Sequence, residues 1–189
     1  MTDFTMRYVK KIKFFIVLLL SCISLNTLSE GINIDSSTVS IDYQKGLINA
    51  RYSVQLNPTL EQALNRGIPL FFNLSCGIIQ TRWYWFNKKI YSSEQERKLT
   101  FNPLTRSYRF YLGSVYVTYN SLSEALLAVG QVSNWVLGEG NLLKKGEAYQ
   151  ATLQLKLDVS QLPKPFQIDA IANTDWTLSS TPYQWIIKP

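Results

Sequence analysis

From Tyr149 to Val159 every second residue is apolar: Tyr149, Ala151, Leu153, Leu155, Leu157 and Val159, separated by Gln150, Thr152, Gln154, Lys156 and Asp158. An extended chain sends successive side chains to opposite faces, so a strand gathers this apolar set on one side. The polar set leaves the other face wet, as in an antiparallel sheet. Ile48, Ala50, Tyr52, Val54 and Leu56 repeat the pattern, as do Leu70, Phe72, Leu74, Cys76 and Ile78. Val39-x-Ile41-x-Tyr43 with a Lys45-Gly46 turn, Leu99-x-Phe101, Tyr108-x-Phe110 and Val115–Tyr119 read as shorter strands joined by hairpins. Another is expected to begin at Trp135-Val136-Leu137, and a last one to run within Thr181–Ile187.

Two stretches break the period. Asn57-Pro58 can cap and open a helix whose Leu60, Ala63 and Leu64 share a face, with Gly67 closing it. Ser121-Leu122-Ser123-Glu124 has the spacing of a capping box, in which Ser121 bonds an amide ahead and Glu124 reaches back. Leu122, Ala125, Leu126 and Val129 follow as its apolar stripe, and Gly130 stops it. Both helices are too short to stand alone and must dock on the sheet. Leu162-Pro163-Lys164-Pro165-Phe166 reads as extended and polyproline-like, leading through Phe166, Ile168, Ala170, Trp176 and Leu178 into the last strand. The fold class is therefore α+β and β-dominant, with antiparallel, sandwich-like sheets and two short helices packed on them.

The first 24 residues stand apart. Arg7, Lys10, Lys11 and Lys13 precede the apolar run Phe14–Leu20, which continues more weakly to Leu25. A membrane span needs about 20 apolar residues, and this run has the length of a secretory core. Residues 1–24 are expected to be an export signal cleaved after Ser24, with a later site at residue 29, leaving one globular domain over 30–189. An uncleaved anchor and lipidation at Cys22 within Leu19-Leu20-Ser21-Cys22 are the alternatives. Each would take the domain across a membrane, to the periplasm or cell envelope. The net charge of +6 falls to +3 once the four bases and Asp3 of this segment are removed. A charge of that size spread over a domain points to neither nucleic acid nor an anionic membrane. Membrane attachment is expected only through the N-terminal segment, where it is kept.

Histidine is absent, which excludes histidine triads, histidine-ligated metals and a histidine base. Cys76 would be the lone cysteine of the mature chain, pointing with the apolar set of its strand, so neither a disulfide nor a thiolate cluster can form within it. No metal site, cofactor or catalytic residue is assigned. Asp158, Asp169, Asp175, Glu61 and Glu124 are the carboxylates a glycosidase-like mechanism could draw on, and they form no motif. Glu61 and Glu124 sit where a helix N-terminus favours negative charge.

The densest aromatic run is Arg82-Trp83-Tyr84-Trp85-Phe86, holding two of the five Trp residues and followed by Asn87-Lys88-Lys89. In a strand, Arg82, Tyr84 and Phe86 would share one face and Trp83 and Trp85 the other. Either protein covers both faces, or one is an exposed platform with the composition of a contact hot spot. Arg82, Trp83, Tyr84 and Trp85 are the candidate binding residues. Together with Arg106, Arg109, Lys88 and Lys89 they also have the composition of a single-strand nucleic-acid site, which export argues against.

Several ordered motifs carry a resemblance: Leu56-Asn57-Pro58-Thr59-Leu60-Glu61-x-Ala63-Leu64-x-x-Gly67-x-Pro69-Leu70, Arg82–Trp85, Ser121-Leu122-x-Glu124-Ala125-Leu126, Leu157–Gln167, and Trp176-x-Leu178-x-Ser180. On these the chain resembles an exported proteobacterial family, the domain of unknown function numbered four-three-nine-zero. It departs from the family at Thr181-Pro182, where an acidic residue and a Trp are usual. The resemblance implies export and brings no activity or ligand. Members are often encoded beside a sensor histidine kinase of the nitrogen-regulation type, which implies a signalling context. The expected function is a non-catalytic binding or adaptor protein of the cell envelope, its partner an envelope protein or a sensor kinase. The alternative is an enzyme acting on envelope polymers through carboxylates.

Overall fold

The computed structural model describes residues 31–42, 47–81, 86–136, 143–144 and 146–188. Residues 1–30 (which include the expected export signal), the expected Lys45-Gly46 turn and Arg82–Trp85 lie outside the described residues. The elements run β1 (Gly31–Asp42), β2 (Leu47–Gln55), α1 (Pro58–Asn65), β3 (Leu70–Gln80), β4 (Lys88–Asn102), β5 (Ser107–Leu112) and β6 (Val115–Tyr119). Then come α2 (Leu122–Gly130), β7 (Gln131–Val136), β8 (Tyr149–Leu157), α3 (Lys164–Ala172) and β9 (Tyr183–Ile187), with single 3-10 turns at Val159–Gln161 and Thr174–Trp176.

Two antiparallel sheets result. The larger has the order β6-β5-β4-β3-β8-β9, the smaller β1-β2-β7. The expected periodicity sets the register: Phe72, Leu74, Cys76 and Ile78 of β3 face Leu157, Leu155, Leu153 and Ala151 of β8, and all eight are buried. Ile48, Ala50, Tyr52 and Val54 of β2 supply the opposing layer, and both layers belong to one apolar cluster. Burying each such Leu or Ile is worth about 1.5–3 kcal/mol. A single parallel bridge, Ile32–Ser180, ties the small sheet to a segment that itself bridges β8 through Ser179 and Lys156. On the other side α2 packs mainly on β2 and also touches β4, β5 and β6.

The two expected helices form with the expected caps. Asn57 accepts from the Leu60 amide at 2.9 Å, Pro58 opens α1, and Gly67 follows at φ +87°, a conformation that favours glycine. Ser121 accepts from the Glu124 amide at 3.3 Å, so one half of the capping box forms. Gly130 ends the helix as expected and has a second role. It is the last residue of α2, and a Cβ there would collide with the Tyr52 carbonyl of β2. The glycine is required by close approach.

Three expectations need correction. The proline-rich run opens a third helix, α3, instead of continuing as extended chain. Pro163 sits at its cap and Pro165 in its first turn, where amides have no partner inside a helix and a missing N–H costs little. Trp135 and Val136 end β7 rather than begin a strand. β4 starts at Lys88, well before the expected Leu99, because the polar stretch Ser92–Lys98 pairs with Phe71–Gly77 of β3 and Lys88–Tyr91 with its end. Among the described residues no helix is long and apolar enough to cross a membrane.

Candidate binding surfaces

The aromatic run falls between β3 and β4. Gln80 pairs with Lys88, so the described chain on either side of Arg82–Trp85 meets across a strand pair. The side chains of Arg82, Trp83, Tyr84 and Trp85 are outside the described residues. Phe86 is described, and it departs from the strand expectation: it belongs to no strand and is 87% exposed. Asn87, Lys88 and Lys89 beside it are exposed too.

The described basic residues of that set do not converge. Arg109 pairs with Thr100 on β4, eleven residues along the strand from Lys89, which at about 3.3 Å per residue puts roughly 35 Å between them. Arg106 lies with Arg109 at that far end, in the β4–β5 turn, at φ +51°.

At the same end the large sheet carries a row the sequence did not single out. Tyr116, Tyr111, Lys98 and Phe71 are direct cross-strand neighbours from β6 through β5 and β4 to β3. The rings of Tyr111 and Tyr116 are 5.3 Å apart. Lys98 Nζ lies 5.2 Å from the centre of Tyr111 and 5.6 Å from that of Phe71. The Arg109 guanidinium lies 5.5 Å from the centre of Tyr116. An ammonium or guanidinium over a ring is held by the ring's negative face, so the row is a pre-arranged alternation of cation and aromatic. Its β5 half was legible, since Arg109 and Tyr111 fall opposite the apolar set of their strand. Lys98 and Phe71 join only through pairing.

The five carboxylates fall at several places, although Asp169 and Asp175 border the same groove, whose walls include Thr59 and Asn173. Burial alone would raise the Asp158 carboxyl, but hydrogen bonds from Ser160 and Gln161, with the nearby Lys156, hold it below its ordinary value. That is opposite to what a general acid needs. Asp175 accepts from Thr59 Oγ1 at 3.0 Å and from Asn173 Nδ2 at 3.3 Å. Glu61 and Glu124 lie in the first turns of α1 and α2. Asp169 lines a groove of about 380 Å³ between α1 and α3, with Arg66 among its walls and Phe166 and Trp176 beside them. Among the described residues no three His, Cys, Asp or Glu side chains come together as a metal site.

A different polar group is buried between the layers. Arg97 points inward from β4, opposite Phe72 of β3, and donates to the Val129 and Gln131 carbonyls at 2.6 and 2.8 Å and to Gln95 Oε1 at 2.7 Å. Burial lowers its guanidinium to about 10, with the nearby Tyr52 opposing that shift. Burial also raises the Cys76 thiol to about 12, so it is no thiolate nucleophile near neutral pH.

These features define a β-dominant α+β domain built on two antiparallel sheets. The chain belongs to the family described as a domain of unknown function, DUF4390, which matches residues 29–186. No curated protein and no solved structure matches it.

Proposed function

We propose that this protein is a non-catalytic binding or adaptor module of the cell envelope, exported by residues 1–24, and that Arg82, Trp83, Tyr84 and Trp85 carry its main contact. One observation supports this. Phe86, the last residue of the run, is 87% exposed outside any strand, as a residue beside a contact surface would be. Exposed aromatic side chains next to cations are the usual chemistry of interface anchors. The partner is an envelope protein or a sensor kinase. The carboxylate-enzyme alternative has less support, because Asp158 and Asp175 are both engaged in local hydrogen bonds.

The test compares wild type with Trp83→Ala and Trp85→Ala, each first shown to be folded by circular dichroism. Immobilised protein is exposed to envelope extract. A partner recovered by wild type and lost with both variants is expected. Equal recovery with all three baits overturns the site. Recovery of the full-length protein from the cytoplasmic fraction alone overturns the envelope assignment.

A further inference from the structure

The edge of the large sheet at β6 is a second recognition element, at the far end of β4 from the aromatic run and independent of it. β6 pairs with β5 through five successive residues and, among the described residues, has no other neighbour in the sheet. Its sequence, Val115-Tyr116-Val117-Thr118-Tyr119, contains no charge and no proline, and its register has no bulge. Val115 is 70% exposed and Val117 50%. Proteins ordinarily guard such an edge with lysine, proline or a bulge, because its free N–H and C=O groups template another strand. The edges of the small sheet differ: both β1 and β7 carry register irregularities.

The surroundings select the occupant by charge. From Pro103 to Asn120 the chain holds Arg106 and Arg109 and no acid. The Arg109 guanidinium lies over Tyr116 on the edge strand itself, and its buried Nε has no hydrogen-bond partner. Lys98 stands one strand further in, on the same face. The acids of that face, Glu94 and Glu96, are on β4 and accept from Asn73 and Gln161. Glu124 belongs to α2, the helix on the other face. On that inner side the edge is apolar, with Leu112, Val115, Val117 and Leu127 of α2 exposed.

We propose that β6 accepts an extended, acidic segment of another protein as an added strand. Its backbone pairs with the free edge of β6. Its alternate apolar side chains lie over Val115, Val117 and Leu127, and a carboxylate between them faces Arg109, while Lys98, two strands inside β6, adds only to the positive field of that face. Strand addition of this kind takes affinity from main-chain hydrogen bonds and specificity from alternate side chains. A second copy of this chain fits less well, because antiparallel β6–β6 pairing would bring two Arg109 guanidinia to the same seam.

The probe is a labelled synthetic peptide alternating valine and glutamate, compared with the same peptide carrying lysine for glutamate. Binding to the full protein is read by fluorescence anisotropy at low and high salt. The glutamate peptide is expected to bind more tightly, by about fivefold at low salt for the pair with Arg109, with the difference shrinking as salt rises. Arg109→Glu is expected to narrow or reverse the preference. Val117→Lys is expected to weaken both peptides, with unchanged circular dichroism. Equal affinity for the two peptides, no binding of either, or an Arg109→Glu variant that behaves as wild type overturns the proposal. So does a dimer in sedimentation that Val117→Lys dissolves, since the edge would then serve a second copy. Retained peptide binding in Trp83→Ala keeps this site distinct from the one proposed above.

Discussion

Arg97 Nη1 donates to the Val129 carbonyl at 2.6 Å, and through that bond a strand of the large sheet holds the last turn of the helix that packs on the small one. The same nitrogen reaches the Gln131 carbonyl, where α2 passes into β7. Carbonyls at a helix end lack intrahelical donors and carry partial negative charge, so a buried cation there satisfies both requirements. This offsets the cost of placing a guanidinium opposite Phe72 in the core.

Arg97→Lys should therefore destabilise the protein by about 3 kcal/mol, because one ammonium cannot reproduce the planar set of donors. Arg97→Met should cost at least as much, since it removes every donor and leaves the Val129 and Gln131 carbonyls without their partner. Urea unfolding midpoints at constant slope measure both. A Lys variant as stable as wild type would refute the capping role.

Gly130→Ala tests the contact between helix and sheet. The added methyl collides with the Tyr52 carbonyl, so α2 and β2 must separate or unwind locally. A loss of about 1–3 kcal/mol is expected from such overpacking, read as a lowered melting temperature. A conventional helix-ending glycine at positive φ would make a different prediction, namely rescue by Asn, which here should be worse than Ala.

Asn57 serves two elements at once. Its Oδ1 caps α1 at the Leu60 amide, and its Nδ2 donates to the Asp175 carbonyl at 2.6 Å, fixing the 3-10 turn over that helix. Asn57→Ala should cost about 1–2 kcal/mol. Asn57→Asp keeps the acceptor and loses the donor, so its loss should be smaller in denaturant unfolding. Equal losses would mean that the link to Asp175, not the cap, dominates.

Stability should fall on the alkaline side. The Cys76 thiol has an ordinary value of 9.0 and is held at about 12 by burial. The unfolded chain therefore releases this proton first as pH rises. The contribution is fully present below about 9 and is lost progressively toward 12, at up to about 1.4 kcal/mol per pH unit for one proton. Burial raises the Tyr52 phenol as well, which adds to the loss above its ordinary value of 10.0. Cys76→Ala should show a shallower alkaline decline than wild type. In native protein at pH 8 the thiol should resist Ellman's reagent and react once denaturant is added. Rapid native labelling would contradict its burial.

The strands whose one face is apolar were legible because their period of two leaves no other way to bury the apolar set: β2, β3 and β8 follow directly from Ile48–Val54, Leu70–Ile78 and Tyr149–Leu157. Asn57-Pro58 and Ser121-x-x-Glu124 announced α1 and α2 through chemistry confined to a few neighbouring residues. The first half of β4 was not legible. Its inner positions Ser93, Gln95 and Arg97 are polar, and they become strand because β3 pairs with them. α3 was hidden by its prolines, which are incompatible with a helix interior and compatible with its first turn. The Phe86 expectation failed because an unbroken run of four aromatic residues cannot tell a buried strand from an exposed connection.

The sequence by itself determined the α+β class, the inward set of each alternating strand, the two capped helices and the absence of histidine chemistry, because each depends on residue type and short-range spacing. Only the tertiary structure decided which residues meet across strands. It put Lys98 between Tyr111 and Phe71, laid Arg109 over Tyr116 at an unguarded edge, separated Lys89 from Arg109 and turned Arg97 into a helix cap. Those relationships join residues distant along the chain, and strand order and register, which local patterning does not specify, are what bring them together.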